Sequence, residues 1–388
     1  MSAAKPSLSA LTAAALALPG VAGAEVQTDY LYSRYGEADL PQESSASGRS
    51  VERYTIDSHL FRIAAPIGEH AVVLNTTYES MSGASPWWVQ PDATGRPVQV
   101  MSGASIEEER IDAQLTYALP AGGIDWGLSA GYSTEDDYEA VNGGIELEYR
   151  PQGSQHSITA GVGYSYDQLE PTVGASSPDV IDEADKDSVS AVAGVSCVLS
   201  PQTLLQTALS YTLHDGFLSD PYKRAFVVAE ATAIPDNRPD SRALGAASAR
   251  LRHYFGGVGA ALHVDYRYYY DDWEIEAHTL ELAWQQVLGE SWRVSPALRW
   301  YSQSQAFFYA PYYGSARSDG YASSDYRLSP YGAISARLDL RKAIGSWQLG
   351  VGAEWYDADA DYAIETVRVE NPGLVEYLVL NLRLAKRF

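Results

Sequence analysis

The chain has 388 residues, with 50 Asp and Glu against 27 Lys and Arg, a formal net charge of −23 and a pI near 4.6. That balance excludes nucleic acid as a partner, and the single cysteine, Cys197, excludes an intrachain disulfide framework and a c-type haem motif. Tyr (28) and Trp (9) outnumber Phe (7), a bias that suits a boundary where one end of a ring is apolar and the other wet.

Residues 1–24 read as a secretory signal. Lys5 supplies a positive start, Leu8 to Leu18 an Ala/Leu-rich apolar run, and Ala22-Gly23-Ala24 a small-x-small cleavage site before Glu25. That run is too short for a spanning helix, and no later window is apolar for long enough. Export without a helical anchor leaves the periplasm, secretion or an outer-membrane barrel. Residues 25–388 carry no Pro/Gly/Ser linker and read as one domain. Their low mean hydropathy, −0.22, fits a barrel with a polar inner face and polar loops.

Alternation with a period of two, the mark of a strand with one apolar face, recurs down the chain. The predicted strands are 25–36, 51–64, 71–80, 107–119, 124–134, 138–150, 157–167, 188–199 and 203–214. The second half adds 243–255, 258–270, 274–288, 292–303, 326–340, 346–356 and 374–388, sixteen in all. Short turns, such as Gly122-Gly123, Ser200-Pro201-Gln202 and Gly256-Gly257, alternate with mostly longer connections, including 36–50, 79–106, 168–187, 215–242, 304–325 and 357–373. The connections near 135–137 and 271–273 are short exceptions. The pattern predicts an all-β fold: a transmembrane antiparallel β-barrel of about 16 strands, with short periplasmic turns and long extracellular loops.

Trp292 and Trp300 share a face eight residues apart, and Trp347 and Trp355 repeat the spacing. Eight residues rise roughly 26 Å, or roughly 20 Å along the normal at a tilt of about 40°, which puts a Trp at each rim of an apolar band. Tyr117, Trp126, Tyr149, Phe255 and Trp284 would extend the turn-side rim. Tyr78, Tyr132, Tyr164, Tyr211 and Tyr268 would extend the loop-side rim. In the last strand Leu378, Leu380, Leu382 and Leu384 alternate with Val379, Asn381, Arg383, Ala385 and Arg387, and Lys386 interrupts the apolar row before Phe388. The strand resembles the terminal recognition strand of bacterial outer-membrane barrels. That resemblance makes Leu380, Leu382, Leu384 and Phe388 the expected assembly signal, with the barrel assembly machinery and outer-membrane lipid as partners.

The connections also carry motifs. Ser82-Gly83-Ala84-Ser85-Pro86 is echoed by Met101-Ser102-Gly103-Ala104-Ser105. Leu218-Ser219-Asp220-Pro221-Tyr222-Lys223 precedes Asn237-Arg238-Pro239-Asp240-Ser241-Arg242. Further on stand Tyr266-Arg267-Tyr268-Tyr269 with Asp271-Asp272-Trp273, then Trp300-Tyr301-Ser302-Gln303 with Phe308-Tyr309, and Asp325-Tyr326-Arg327-Leu328-Ser329. Together they resemble the bacterial outer-membrane family catalogued as domain of unknown function 3570, over nearly the whole mature chain. The resemblance implies a barrel at the outer membrane and brings no established activity. Family neighbours imply a periplasmic lipoprotein or a redox partner. The family pattern has an acidic residue before the Phe-Tyr pair, where this chain has Phe307, which departs from any ligand role there.

Catalytic and metal motifs are sparse. Gly127-Leu128-Ser129-Ala130-Gly131 matches a nucleophile-elbow string, but it lies inside an alternating strand rather than a strand-to-helix turn. Asp357, Asp359 and Asp361 open like a calcium loop, yet Tyr362 and Arg368 occupy the positions that need Gly and Glu. That leaves a loose cation site or a solvated acidic loop. The seven His show no paired spacing; His214-Asp215 near a loop base is the first place to look for a hydrolase pair. No cofactor, metal or catalytic residue is expected.

Alternation places Arg110, Arg252, Arg267, Arg293, Arg299, Arg337 and Arg383 opposite the lipid face, with Asp112, Asp125, Glu146, Glu148, Asp265, Asp339 and Glu354. An Arg at the lipid midplane would cost about 2–4 kcal/mol, so these are the expected pore-lining residues. The leading expectation is a passive channel or translocation conduit, since barrels of about this strand number hold a water-filled lumen. The first strand starts within a few residues of the cleavage site, which disfavours a plugged, energy-coupled receptor. The alternative is a scaffold or sheath for a lipoprotein or redox partner, and the third class is a barrel enzyme.

Overall fold

The computed structural model describes residues 25–102, 106–172 and 181–388; the signal segment 1–24 lies outside the described residues. In chain order the strands are β1 (Gln27–Glu37), β2 (Thr55–Ile67), β3 (His70–Gly83), β4 (Pro86–Pro91), β5 (Pro97–Met101), β6 (Ile106–Ala121) and β7 (Ile124–Thr134). Next come β8 (Tyr138–Tyr149), β9 (His156–Leu169), β10 (Ala184–Ser200), β11 (Thr203–Gly216), β12 (Arg224–Val227), β13 (Thr232–Pro235) and β14 (Ser241–Phe255). The last are β15 (Ala260–Asp271), β16 (Glu276–Leu288), β17 (Trp292–Gln303), β18 (Tyr331–Ile344), β19 (Trp347–Asp359) and β20 (Glu376–Arg387). Sixteen of them close one antiparallel barrel; β4 with β5 and β12 with β13 form two hairpins outside the wall. No described helix is long and apolar enough to cross a membrane.

The wall is apolar on its outside. Phe61, Ile63, Leu74, Ile111, Val162, Leu209, Leu298, Leu338 and Val351 are all exposed. Most of their register partners on neighbouring strands are exposed or half-buried apolar residues too, for example Ile63 with Leu74 and Leu338 with Ala353, with threonines such as Thr28, Thr76 and Thr134 among them. A soluble sheet would turn that face into a core; here it is the outer surface of the barrel. β20 closes the ring against β1, from Gln27 opposite Arg387 to Glu37 opposite Tyr377. Leu378, Leu380, Leu382 and Leu384 point outward and exposed, and Phe388 is 63% exposed. Lys386 bends its ammonium over both the Phe388 ring (4.1 Å) and the Trp347 ring (4.9 Å), so the break in the apolar row is a side chain held at the rim by its cation–π contacts.

Every predicted wall strand has an observed counterpart. Seven short turns gather at one end with both described termini, and the long connections at the other, together with the two short exceptions between β7 and β8 and between β15 and β16. Gly122 (φ +64) and Gly123 (φ +78) form one of the short turns; positive φ at both positions is what a two-residue hairpin of matching twist requires. Two starts are corrected. β2 begins at Thr55 rather than residue 51, because Arg53 turns in to a buried ion pair with Glu37 (2.7 Å). β18 begins at Tyr331 rather than 326, because the Asp325 side chain accepts from the Arg327 amide and caps a single 3-10 turn over Tyr326–Leu328. Trp292, Trp347 and Trp355 are exposed at the rims, whereas Trp300 is half-buried and donates its indole N–H to the Tyr362 carbonyl (2.9 Å).

Candidate functional site

The long connections fold against one another into a cap over one mouth. The connection after β3, which holds β4 and β5, is rooted six wall strands (β6 to β11) from the one before β14, which holds β12 and β13. Four strands (β14 to β17) separate that one from the connection between β17 and β18, and six more complete the ring. Segments rooted this far apart can touch only across the opening, and they do. Lys223 Nζ donates to the Pro86 carbonyl (3.0 Å), and the Val89 amide to Ser324 Oγ (3.2 Å). Asn371 Nδ2 donates to Tyr309 Oη (2.9 Å) and to the Ser324 carbonyl (3.1 Å). Arg53 donates to the carbonyls of Gly373 and Leu374. Tyr222 Oη donates to Asp137.

At the centre lies a buried ionic cluster. Arg238 donates through Nε to Asp236 Oδ1 (2.6 Å) and through Nη2 to Asp325 Oδ2 (3.0 Å). Arg327 bridges Asp325 (2.8 Å from Nε) and Asp220 (3.0 Å from Nη2). Lys223 Nζ stands 4.0 Å from Asp325, and Ser323 Oγ donates to Asp236 (2.5 Å). Burial alone would raise the Asp325 carboxyl, but Arg327, Lys223 and Arg238 outweigh it and hold the group well below the usual carboxylate range. Burial lowers the Lys223 ammonium from its ordinary value, with Asp325 opposing the shift. Beside the cluster an apolar core of Trp273, Ile275, Ala306, Phe308, Tyr309 and Leu328 is sealed by Leu218 and Phe307. A smaller one joins Ala225 and Val227 to Tyr313 and Ala322.

The loop motifs supply these contacts. Asp220, Tyr222 and Lys223 come from the Leu218–Lys223 motif, Arg238 from the Asn237–Arg242 motif, and Asp325 and Arg327 from the Asp325–Ser329 motif. Arg242 pairs with Asp271 (2.5 Å) while stacking 4.3 Å over Trp273. Gln303 donates to the carbonyls of Arg327 and Ser329. Phe307 packs half-buried against Phe308 and Tyr321 and under Arg317. Asp236 and Asn371 were not singled out by sequence; Asp236 was legible only as the neighbour of a motif.

The lumen candidates stand on the inner wall, opposite the exposed apolar face. Arg252 pairs with Asp265 (2.6 Å), Arg383 with Asp29 (2.7 Å), and Arg337 with Glu281 (2.9 Å), Asp339 (3.4 Å) and Glu354 (3.8 Å). Arg110 reaches Glu79 and Glu135, each at 3.5 Å, and Asp112 stands in register with Ser133. Glu148 pairs with Arg150, and Asp125 is its register partner. Glu146 is buried between Gly127 and Gly161, and its Oε1 has no hydrogen-bond partner among the described residues. Arg267 lies over the Tyr269 ring (5.5 Å), and Arg299 is opposite Glu281 in register. Arg293 is opposite Arg341.

Ser129 sits within extended β7, and Asp359 caps a 3-10 turn by accepting from the Asp361 amide (2.7 Å). His214 Nδ1 shares a 2.7 Å hydrogen bond with Ser188 Oγ. At the cap's edge oxygen atoms of Glu108, Glu135 and Asp137 come within 4.8 Å of one another. Hard divalent cations take such oxygen sets, although Arg110 and the Tyr222 hydroxyl already engage two of the three.

Among solved structures, CdiB from Acinetobacter baumannii matches with a TM-score of 0.52 at 10% identity, covering 94% of this chain and 60% of that one. A bacterial polysaccharide outer membrane secretin matches at 0.49 and 9% identity, covering 94% and 99%. The siderophore receptor PirA from Pseudomonas aeruginosa matches at 0.41 and 9% identity, covering 87% and 56%. At 10% identity the CdiB match is a likeness of fold alone, that of an outer-membrane barrel. No curated protein matches the chain. A family model described as a protein of unknown function, DUF3570, matches residues 8–376. The chain belongs to that family, the one its loop motifs resemble.

Proposed function

We propose that the protein is an outer-membrane conduit whose outer mouth is gated by its own folded loops. One observation carries the reading: two motif-bearing connections rooted four strands apart share a buried ionic cluster around Asp325, and a third, rooted six strands from each, hydrogen-bonds to them through the Pro86 carbonyl and the Val89 amide. A wall needs only short loops to stay closed as a barrel. Loops that share a buried salt-bridge network form a unit with two states, engaged or dispersed, because removing one buried charge strands its partners at a cost of several kcal/mol. That is the property a gate requires. In this reading the long connections face outward and the short turns face the periplasm.

The second reading keeps the cap permanently shut and makes the barrel a sheath for a periplasmic lipoprotein or a redox partner. It is favoured by the sealing of the apolar cores beside the ionic cluster. Solute efflux from proteoliposomes separates the two. The conduit predicts slow efflux of a small sugar for the native protein and faster efflux for Asp325→Asn. Equal, background efflux for both favours the sheath, and co-purification of a lipoprotein would then identify its partner. Sidedness is tested by Ala93→Cys and Gly257→Cys in a Cys197→Ser background. An impermeant maleimide on whole cells should label the first only.

A further inference from the structure

On the half of the lumen away from the cap, three arginines stand in one lateral row. Arg293 on β17 is directly opposite Arg341 on β18. Arg341 is opposite Gly350 on β19, and Gly350 is opposite Arg383 on β20. Like charges directly opposed across a ladder repel, and nothing in the closing of the barrel requires them there. Gly350 removes the side chain that would stand between Arg341 and Arg383: a Cβ there would lie 3.2 Å from Arg383 Cβ and 3.5 Å from Arg341 Cγ. Arg341 and Arg383 border a pocket of about 290 Å³ that also takes in Arg62 and Asn381.

Carboxylates do line the pocket, but their charge is already engaged. Asp29 accepts from Arg383 (2.7 Å) and from Gln27 (2.8 Å), and Asp339 pairs with Arg337. Arg62, Arg293 and Arg341 form no ion pair with any described residue. Half the ring away, the corresponding end of β7 and β8 carries Asp125, Glu146 and Glu148. A solute in this part of the lumen therefore meets a basic wall and an acidic wall on opposite sides.

We propose that Arg293, Arg341 and Arg383 form an anion-binding subsite that takes the phosphate or carboxylate group of a small solute. The anion supplies the counter-charge that Arg293 and Arg341 lack among the described residues, while Arg383 keeps Asp29. Adjacent strands are about 4.8 Å apart; Arg293 is one spacing from Arg341 and Arg383 two, roughly 10 Å, so long side chains leaning toward Arg341 can place their guanidinium forks around one tetrahedral or planar oxyanion with several charge-assisted hydrogen bonds. The inference does not rest on the cap opening, because binding can be read without transport.

The test is calorimetry on the full-length folded barrel in detergent, with pyrophosphate and citrate as separate probes. Native protein should bind at least one of them, more weakly as salt rises; which one binds assigns the phosphate or the carboxylate class. Arg341→Gln should weaken binding by about tenfold or more, the loss expected for a charge-assisted hydrogen bond, and Arg341→Lys should restore part of it. Arg299→Gln removes an unpaired lumen arginine outside the row and should change binding by less than about twofold. Heat-modifiable migration in gels checks that each variant is folded. Failure of both probes to bind the native protein would overturn the proposal, as would an equal loss in Arg299→Gln and Arg341→Gln.

Discussion

The wall and the cap are built on opposite rules. The wall shows its apolar residues to the outside, as at Leu209 (65% exposed) and Leu298 (61%), and keeps charge within. The cap buries its apolar residues, with Phe308 and Val227 fully enclosed, and buries charge beside them at Asp325 and Arg238. The wall is held by continuous backbone ladders that close on themselves, so no single side chain decides it. Among its described residues the cap has two short hairpins, and isolated backbone bridges such as Val227 with Tyr313 and Asn237 with Ala322, together with long-range side-chain contacts, hold the rest. The lesson is that a mutation in the wall should act through lipid and assembly, and one in the cap through a few buried charges.

The largest expected effect falls on the closing strand. Deleting Phe388, or Phe388→Ala, should sharply reduce heat-modifiable barrel in the outer-membrane fraction while export continues. Wild-type levels would remove Phe388 from the assembly signal. Next is the cap: Arg238→Ala leaves Asp236 and Asp325 facing each other in a buried site, a loss of about 3–5 kcal/mol for a broken buried pair. Protease should then cut within 217–240 and 304–330 while the barrel core stays heat-modifiable. Loss of the whole barrel would show that cap and wall are one cooperative unit.

On the wall, the two faces of one strand should differ. Leu382→Arg, on the lipid side, should cost about 2–4 kcal/mol in a folding titration, and Asn381→Arg, on the lumen side, much less. Similar costs would contradict the facing.

The smallest effect concerns pH. Burial, with Asp137 adding to it at Tyr222 and partly opposed by a backbone hydrogen bond to Ser323 at Tyr313, pushes these phenols up to about 12. A raised folded value gives stability that is complete below the ordinary value near 10 and is lost as pH rises through about 12. Protease sensitivity of the cap should rise across that window, and Tyr222→Phe should reduce the rise. For Asp325 the sign is reversed. Its depressed value gives stability that is present above the usual carboxylate range and is lost only as pH falls well below it.

Much of the wall was legible because alternation is local: each strand announces its own faces, and Trp292, Trp347 and Leu378 to Leu384 stand where their spacing put them. The cap was not legible, because its contacts join residues with no periodic relation, such as Lys223 with Pro86 or Arg53 with Gly373. The loop motifs were visible as strings, but only the fold shows that Asp220, Arg238 and Arg327 meet. The two misplaced strand starts have the same origin. Arg53 and Asp325 look like extended residues until their distant partners draw them into the cap.

Single-channel recording in a planar bilayer tests the gate most directly. Native protein should be closed for most of the record at neutral pH, with rare openings, and Arg238→Ala or Asp325→Asn should raise the open fraction at least about tenfold, the response to roughly 1.4 kcal/mol taken from the closed state. A native protein that is steadily open, or variants that match it closed, would contradict the account.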